Sequence, residues 1–348
     1  MSAGSSVPPP ALPLSFALSY VVPVKAATPF VDDDFTQYLT WLSTVMPVIV
    51  VDGSQPSVFE AHDAQWGAAV RHIGVESTSL NGKVAGVCDG VAAARTPHVI
   101  VADDDVRYDG KAIESIAALL TRHDVVIPQN YFSPPRWHTH WDTGRTLVNR
   151  ALSGDYAGTI ALRRDVLMST GGYCGAVLFE NLELTRTVTA HGFKVHRALD
   201  VFVARRPPDF EHFAGQRVRQ AYDSLAQPAR LGAELGLLPL LVVGTARSKA
   251  FPLVAIAAVM AVGEFGRRRG GGRLVFQPLA SAWVPLWVVE RALCAWVAVG
   301  CFLRGGVTYG GRRLRLAAHR PGKLRAASCP SATCSCDIAL RHRQRCEA

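Results

Sequence analysis

The feature that most constrains the fold is an alternation of short apolar segments with helical patterns before residue 230. Four apolar segments are only a few residues long and rich in β-branched side chains, as buried strands are. They comprise residues 16–24, 45–51, 98–102 and 124–128. Helical patterns separate them at residues 34–43, 84–94 and 111–122. This rhythm predicts an α/β domain with a mostly parallel sheet and helices on both faces.

The chain becomes strongly apolar after this domain. The three apolar stretches are residues 235–243, 251–262 and 274–303. Only the third is clearly long enough to cross a bilayer, which takes roughly 20 residues. It carries Glu290 and Arg291 near its middle, an arrangement that is tolerable when the charges are paired or packed inward. The first two predict either one interrupted span or two short re-entrant or interfacial pieces.

Basic residues concentrate directly after the third apolar stretch. The chain has 37 Lys and Arg against 28 Asp and Glu, and residues 304–325 contain seven basic residues and no acidic one. Because this block adjoins an apolar run, an anionic membrane surface is a simpler partner for it than nucleic acid. We expect no nucleic-acid partner.

The two ends of the chain have the composition of flexible segments. Residues 1–13 are rich in Ser and Pro and lack the basic start of a signal peptide, so the large domain is predicted to stay on the cytoplasmic side of the cell membrane. Half of the eight cysteines lie in the last twenty residues, in a spacing that is not typical of zinc sites. We therefore divide the chain into a leader (1–13), an α/β domain (14–230), a membrane-associated helical region (231–306) and a basic, disordered tail (307–348).

Three consecutive carboxylates, Asp103, Asp104 and Asp105, follow the predicted strand at residues 98–102. Functional groups gather at the carboxyl ends of strands in such sheets. Two carboxylates one residue apart, here Asp103 and Asp105, can hold a divalent cation that also carries phosphate oxygens. A cation there would neutralise a departing diphosphate. An acidic turn is the alternative interpretation.

Two further residues extend this edge of the sheet. Asp52 ends the strand at residues 45–51 and is a candidate to hold a nucleoside. Lys83 begins a predicted helix, where it would face a phosphate. Taken alone, Lys83 is more often a solvated surface charge.

Two motifs lie downstream of these strands. Glu180 and Glu183 are three residues apart, on one face of a helix, and a carboxylate there suits general-base chemistry. Gln216 and Arg219 share a helical face in the same way, and a guanidinium can offer two donors to a diphosphate. Taken alone, the glutamate pair is a weak signal because surface helices often carry such pairs, and the Gln216 and Arg219 pair is equally typical of an exposed basic helix.

Taken in order, these motifs resemble the membrane-associated inverting glycosyltransferases of family 2, including the ceramide glucosyltransferase-like branch. The resemblance covers residues 19–228. It implies a GT-A nucleotide-diphospho-sugar transferase domain followed by hydrophobic membrane helices. It also implies that Asp103 and Asp105 bind Mn²⁺ or Mg²⁺, and that Asp52, Gln216 and Arg219 contact the donor. Lys83, from its place at the start of a helix, and Asp104, between the two metal ligands, complete the predicted donor-binding residues.

The sequence departs from the family pattern at the base. Asn181 stands where the family has its catalytic aspartate, and an amide cannot accept a proton. We therefore assign the base to Glu180 in preference to Glu183. Gln220 replaces the tryptophan of the family's Q-x-x-R-W motif.

One stretch is explained only by its position. Residues 137–145 are aromatic, basic and His-rich, and lie between the metal motif and the base. Amphipathic aromatic side chains favour membrane interfaces, so we interpret the stretch as a wall on the acceptor side. Hydrogen-bonded surface roles suit its histidines better than metal binding.

The sequence therefore predicts a metal-dependent glycosyltransferase that moves a sugar from a nucleotide-sugar donor to a lipid or polyprenyl acceptor. A nucleotidyltransferase could use a similar sheet and metal, but it would not explain Gln216, Arg219 or the apolar region. A catalytically silent, membrane-bound relative is the stronger alternative because of Asn181.

Overall fold

The computed structural model describes residues 17–30, 33–155, 158–309 and 311–324. The predicted leader (1–13) and the four C-terminal cysteines lie outside the described residues. The strands are β1 Leu18–Val24, β2 Val48–Asp52, β3 Arg71–Gly74, β4 His98–Ala102, β5 Val106–Arg107, β6 Val125–Phe132, β7 Thr159–Arg163, β8 Val195–Arg205, β9 Val307–Tyr309 and β10 Arg312–Leu314. The longer helices are α1 Asp33–Ser43, α2 Pro56–Trp66, α3 Gly82–Ala93, α4 Gly110–Leu120, α5 Trp137–Leu152, α7 Glu180–Ala190, α10 Pro228–Arg247, α11 Phe251–Arg268 and α12 Val284–Leu303. The short helices are α6 Arg164–Ser169, α8 Phe210–Gly215, α9 Arg217–Tyr222 and α13 Pro321–Leu324.

Eight strands form one sheet in the order β3-β2-β1-β4-β7-β6-β8-β5. Strands β3, β2, β1 and β4 run parallel to one another, and β6 runs parallel to β8. Strand β7 is antiparallel to both β4 and β6, and β5 is antiparallel to β8. The predicted α/β fold is confirmed, and the sheet is mixed. The carboxyl ends of β1, β2 and β4 meet at one edge, as parallel pairing requires.

Alternating side chains of β1 enter two separate cores, because successive side chains point to opposite faces of a strand. Tyr20 and Val22 pack on the face covered by α1 and α4, whereas Val21 packs on the face covered by α3. Helix α3 approaches the sheet closely at Gly90, where an added Cβ would lie 2.3 Å from Val21 Cγ1. This close packing holds the second half of α3 against the middle of β1.

The apolar region folds into three helices that lie against the α/β domain. Two segments, Pro228–Arg247 and Ala280–Leu303, are long and apolar enough to cross a membrane by length and composition. Helix α12 packs against α5, α9 and α10. Its Glu290 and Arg291 are buried at 9% and 1% exposure, so the charges of this helix face the protein.

The chain returns to the α/β domain after α12, where we expected a disordered tail from residue 307. The backbone N–H groups of Leu178 and Phe179 donate to the carbonyls of Leu316 and Ala317 at 3.0 and 2.8 Å. Leu314, Ala317 and Ala318 are buried in the same contact. Residues 311–319 form the return segment. These apolar residues lie between basic ones in the sequence. The basic residues therefore hid the fact that one face of the segment packs against the domain.

Candidate active site

Lys83 joins two of the predicted motifs. The side chain of Asn81 caps α3 by accepting the N–H of Lys83. The Lys83 ammonium then lies 2.5 Å from Asp103 Oδ1 and 2.7 Å from Glu180 Oε1. Burial by itself would lower the pKa of Lys83, but the charges of Asp103 and Glu180 outweigh it and raise the pKa well above its ordinary value. Lys83 is therefore a charged link between the metal motif and the helix that carries the predicted base.

Asp103 and Asp105 also lie next to a positively charged side chain, Arg205, for which the sequence predicted no role. Arg205, the last residue of β8, donates from Nε to Asp105 Oδ2 at 2.7 Å and lies 3.8 Å from Asp103 Oδ2. The N–H of Asp103 donates to the carbonyl of Gly158 at 2.9 Å, which fixes the turn after β4. The only signal in the sequence was that Arg205 follows the apolar residues 201–204.

The three aspartates form an environment that suits a divalent cation. Asp105 Oδ1 is buried and has no hydrogen-bond partner within the described ranges. Burial and the neighbouring charges of Asp105 and Asp103 raise the pKa of Asp104 to about 6. Burial likewise raises the pKa of Asp105, although Arg205 acts to lower it. A buried carboxylate oxygen without a partner is costly, and a hard cation held by Asp103 and Asp105 would satisfy it.

Both carboxylate oxygens of Asp52 accept hydrogen bonds from neighbouring residues. Its Oδ1 accepts the N–H of Ser54 at 2.8 Å, and its Oδ2 lies 2.6 Å from His62 Nδ1 and 3.3 Å from His72 Nε2. Nε2 of His62 accepts the N–H of Phe30, so Nδ1 carries the proton and donates to Asp52. The Asp52 side chain has no exposed surface. Burial acts to raise the pKa of Asp52, but the hydrogen bonds from His72, Ser54 and His62 hold it well below its ordinary range.

The three catalytic candidates on α7 have different surroundings. Glu180 and Asn181 line a cleft that also includes Asp103 and Arg205. Glu183 is fully buried and accepts hydrogen bonds from the backbone N–H and Nδ1 of His319, at 2.8 and 2.7 Å. Glu183 is not part of the cleft lining, and instead it fastens the return segment to α7.

A second group of potential metal ligands surrounds Glu183. Ligand atoms of Cys174, Glu183 and His319 lie within 4.8 Å of one another. The carboxylate of Glu183 accepts two hydrogen bonds from His319 within this group.

The Q-x-x-R motif forms another wall of the cleft. Gln216, Arg219 and Gln220 all line it. Arg219 also packs over the ring of Tyr309, with 5.0 Å between the guanidinium carbon and the ring centroid. The structure therefore places Asp103, Glu180 and Arg219 around one cleft, although they come from three different parts of the fold. Lys83 contacts the first two of them.

Residues 137–145 form the start of α5, and this helix packs against α11 and α12. His138 is buried and its Nε2 donates to the carbonyl of Pro208 at 2.9 Å, so the expected surface position of this histidine is wrong. His140 stacks on Trp283. Arg145, at the end of the stretch, lines the cleft.

A buried ionic network holds α5, α9 and α12 together behind this wall. Asp142 Oδ1 accepts from Arg145 Nε and Arg217 Nη1, each at 3.1 Å, and Arg217 Nη1 lies 3.6 Å from Glu290. Burial acts to raise the pKa of Asp142, but the charges of Arg145 and Arg217 bring it well below its ordinary value. Glu290, a charge inside the apolar region, thus connects α12 through Arg217 to the network on α9 and α5.

Two cleft residues were not assigned a role from the sequence. Asp223 and Arg291 both line the cleft, Asp223 directly after α9 and Arg291 from α12. Nε and Nη1 of Arg291 are buried and have no hydrogen-bond partner among the residues that the structure describes. Asp223 lies four residues after Arg219, about one helical turn, which was its only sequence signal.

These features define an α/β domain with a charged cleft at the carboxyl ends of its strands. The sequence model described as Glycosyltransferase like family 2 matches residues 44–223, more than half of the 348-residue chain. The chain therefore belongs to the family 2-like glycosyltransferases, and its sheet has a GT-A-like architecture.

The chain also matches solved structures at low identity, including the following three. The mannosyltransferase PcManGT from Pyrobaculum calidifontis, in complex with GDP-Man and Mn²⁺, has a TM-score of 0.46 and 16% identity, over 80% of this chain and 87% of that chain. Glucosyl-3-phosphoglycerate synthase from Mycobacterium tuberculosis, with Mn²⁺ and UDP-glucose, has a TM-score of 0.39 and 16% identity, over 61% and 78%. Mannosyl-3-phosphoglycerate synthase from Rubrobacter xylanophilus has a TM-score of 0.38 and 11% identity, over 58% and 74%. The search of curated proteins gave no match.

Proposed function

We propose that this glycosyltransferase moves a hexosyl group from a nucleotide-sugar donor to a lipid or polyprenyl acceptor, with inversion at the anomeric carbon. The observation that carries the proposal is the cleft shared by Asp103, Glu180 and Arg219. It combines a carboxylate for a metal, a further carboxylate and a guanidinium within one site. The apolar helices beside the cleft would hold it at a membrane, where a lipid acceptor lies.

A divalent cation, Mn²⁺ or Mg²⁺, held by Asp103 and Asp105 would neutralise the negative charge that develops on the departing diphosphate. Lys83 occupies Asp103 Oδ1 in the structure. We propose that the ammonium turns from Asp103 towards the diphosphate when the donor binds. Arg219 would offer a third positive charge to the same phosphates.

Asp52 supports the nucleoside end of the site indirectly. Its carboxylate is enclosed by His62, His72 and Ser54. We propose that this cluster fixes the loop after β2 against which the nucleoside lies. Direct contact between Asp52 and a nucleoside would require one of these partners to move.

The apolar surface beside the cleft supports a lipid acceptor. Helices α10, α11 and α12 expose Leu240, Leu253, Val254 and Trp296 at 50% or more of their surface. Glu290 and Arg291 on α12 face inwards. An apolar outer face with inward charges suits helices that lie in or cross a lipid layer. The position of the catalytic domain on the cytoplasmic side of that membrane stays a prediction.

A silent membrane-binding relative is the second candidate, and Asn181 is the observation that favours it. The two candidates differ in product release. The full chain in detergent is incubated with a panel of UDP- and GDP-hexoses, Mn²⁺ and a lipid extract. Release of free UDP or GDP that stops on chelation supports the enzyme, whereas binding of the donor without release supports the silent relative.

A further inference from the structure

The predicted base, Glu180, is already occupied in the structure. Its Oε1 accepts the Lys83 ammonium at 2.7 Å. Glu183 lies outside the cleft lining and is held by His319, and Asn181 cannot accept a proton. A displacement on a sugar still requires a group that takes the proton of the acceptor hydroxyl. Another carboxylate of the cleft is therefore needed.

Asp223 is a cleft carboxylate with its acceptor atoms available. It follows α9 directly and lines the cleft together with Glu180, Asn181 and Arg219. Its backbone N–H closes the end of α9 by donating to the carbonyls of Ala221 and Arg219. The carboxylate itself forms no hydrogen bond and no ion pair with any residue in the described ranges.

The charges around Asp223 suit a proton acceptor at neutral pH. Burial and the charge of Glu180 on α7 raise the pKa of Asp223 to about 7, against the lowering effects of Arg219, Arg291 and Arg230. These neighbours come from α7, α9, α12 and α10, the elements that enclose the cleft. A catalytic base is most effective when its pKa lies near the working pH.

We propose that Asp223 is the general base of this enzyme, in the place of the carboxylate that Asn181 lacks. The proposal rests on the transfer reaction proposed above. Asp223 would accept a hydrogen bond from the acceptor hydroxyl. Glu180 would act as a positioning residue through Lys83.

The transfer forms one bond to the anomeric carbon and breaks another. The acceptor oxygen forms a bond to the anomeric carbon while its proton passes to the Asp223 carboxylate. The bond between the anomeric carbon and the diphosphate oxygen breaks, and its electron pair leaves with the diphosphate. Arg219, on the helix that precedes Asp223, faces that leaving group. The protonated Asp223 then returns its proton to solvent.

The experiment compares Asp223→Asn, Asp223→Glu and the control Glu211→Gln, which removes an exposed carboxylate outside the cleft lining. The full chain in detergent is assayed with the donor and lipid that the wild type uses, and binding of UDP or GDP with Mn²⁺ is measured separately. We expect Asp223→Asn to lower kcat by about 10²–10⁴-fold with unchanged nucleotide binding. Asp223→Glu should recover part of kcat, and Glu211→Gln should match the wild type.

The pH profile of kcat distinguishes a catalytic base from a carboxylate that only neutralises the charge of the neighbouring arginines. The wild-type kcat should rise with pH through about 7, because Asp223 acts when deprotonated. This rise should disappear in Asp223→Asn. An Asp223→Asn variant that keeps its kcat, or that loses nucleotide binding without recovery in Asp223→Glu, would overturn the proposal. If the wild type binds donor and transfers sugar to no acceptor, the proposed function fails, and the base assignment fails with it.

Discussion

The ammonium nitrogen of Lys83 lies 2.5 Å from Oδ1 of Asp103, the residue that begins the metal motif. The same nitrogen lies 2.7 Å from Glu180. A single lysine at the start of α3 thus contacts two motifs that are far apart in the sequence and holds them close together. It also occupies an oxygen that a cation would take, so donor binding and the release of Lys83 are coupled in the proposed mechanism.

Replacement of this lysine tests the coupling. Lys83→Met should weaken the binding of UDP or GDP with Mn²⁺ by about 10- to 150-fold, since a hydrogen bond to a charged group contributes about 1.5–3 kcal/mol. Calorimetry on the full chain measures this change. The exposed Lys111→Met variant on α4 is the matched control and should bind like the wild type. Equal affinities for the Lys83→Met variant and the control would remove Lys83 from the donor site.

The pH dependence of transfer tests the pairing of Glu180 with Asp223. The Glu180 charge is one cause of the raised pKa of Asp223. Glu180→Gln removes that charge, so the pKa of Asp223 should fall and the acid limb of kcat should move to lower pH. The comparison is kcat against pH for both proteins. An acid limb that vanishes would show that Glu180 is itself the titrating base, and one that moves to higher pH would contradict the coupling of Glu180 to Asp223.

Glu183 is predicted to be a structural residue. Glu183→Ala removes both hydrogen bonds to His319 and leaves their donors without a partner, which should lower the free energy of unfolding by about 1–3 kcal/mol. Thermal unfolding in detergent measures the loss, and nucleotide binding should be unchanged. Normal stability combined with a lost kcat would instead return Glu183 to the catalytic role that the sequence left open.

Membrane attachment depends on the outer face of the apolar helices. Leu253→Glu on α11 places a charge at a side chain that is 71% exposed, so it should reduce flotation with anionic phospholipid vesicles while leaving the fold intact. Glu114→Gln, a polar position on α4 away from this face, should float like the wild type. Full flotation of the Leu253→Glu variant in high salt would place the attachment elsewhere, for example in the exposed Trp137 region.

The sequence predicted those parts of the fold that depend on local pattern. Short β-branched runs gave the strand at His98–Ala102 with both ends correct, and its position placed Asp103 and Asp105 at the edge of the sheet. These inferences succeed because the side chains next to each other in sequence decide burial and strand length. The bounds of β2 were less accurate, since the predicted strand began at residue 45 and the observed one begins at Val48.

The contacts that complete the cleft could not be predicted, because they join distant parts of the chain. Lys83 and Glu180 are 97 residues apart, and Glu183 and His319 are 136 apart. No periodicity encodes such a pair. Arg291 was visible only as a charge in an apolar run, and its partners depend on how α12 packs against the domain. The packing of the return segment was hidden in the same way by its basic residues.

The most direct test of the account is transfer of labelled sugar to lipid by the full chain. The donors are UDP- and GDP-hexoses labelled in the sugar, the acceptors are diacylglycerol, ceramide and polyprenyl phosphate, and the product is followed by mass spectrometry. We predict a labelled glycolipid with Mn²⁺, none with chelator, and none from Asp105→Asn, whose donor binding should no longer depend on Mn²⁺. Asp200→Asn, an exposed carboxylate on β8, is the control and should form product normally. Product formed equally well in chelator or by Asp105→Asn, or donor binding with no product from any acceptor, would contradict a metal-dependent lipid glycosyltransferase.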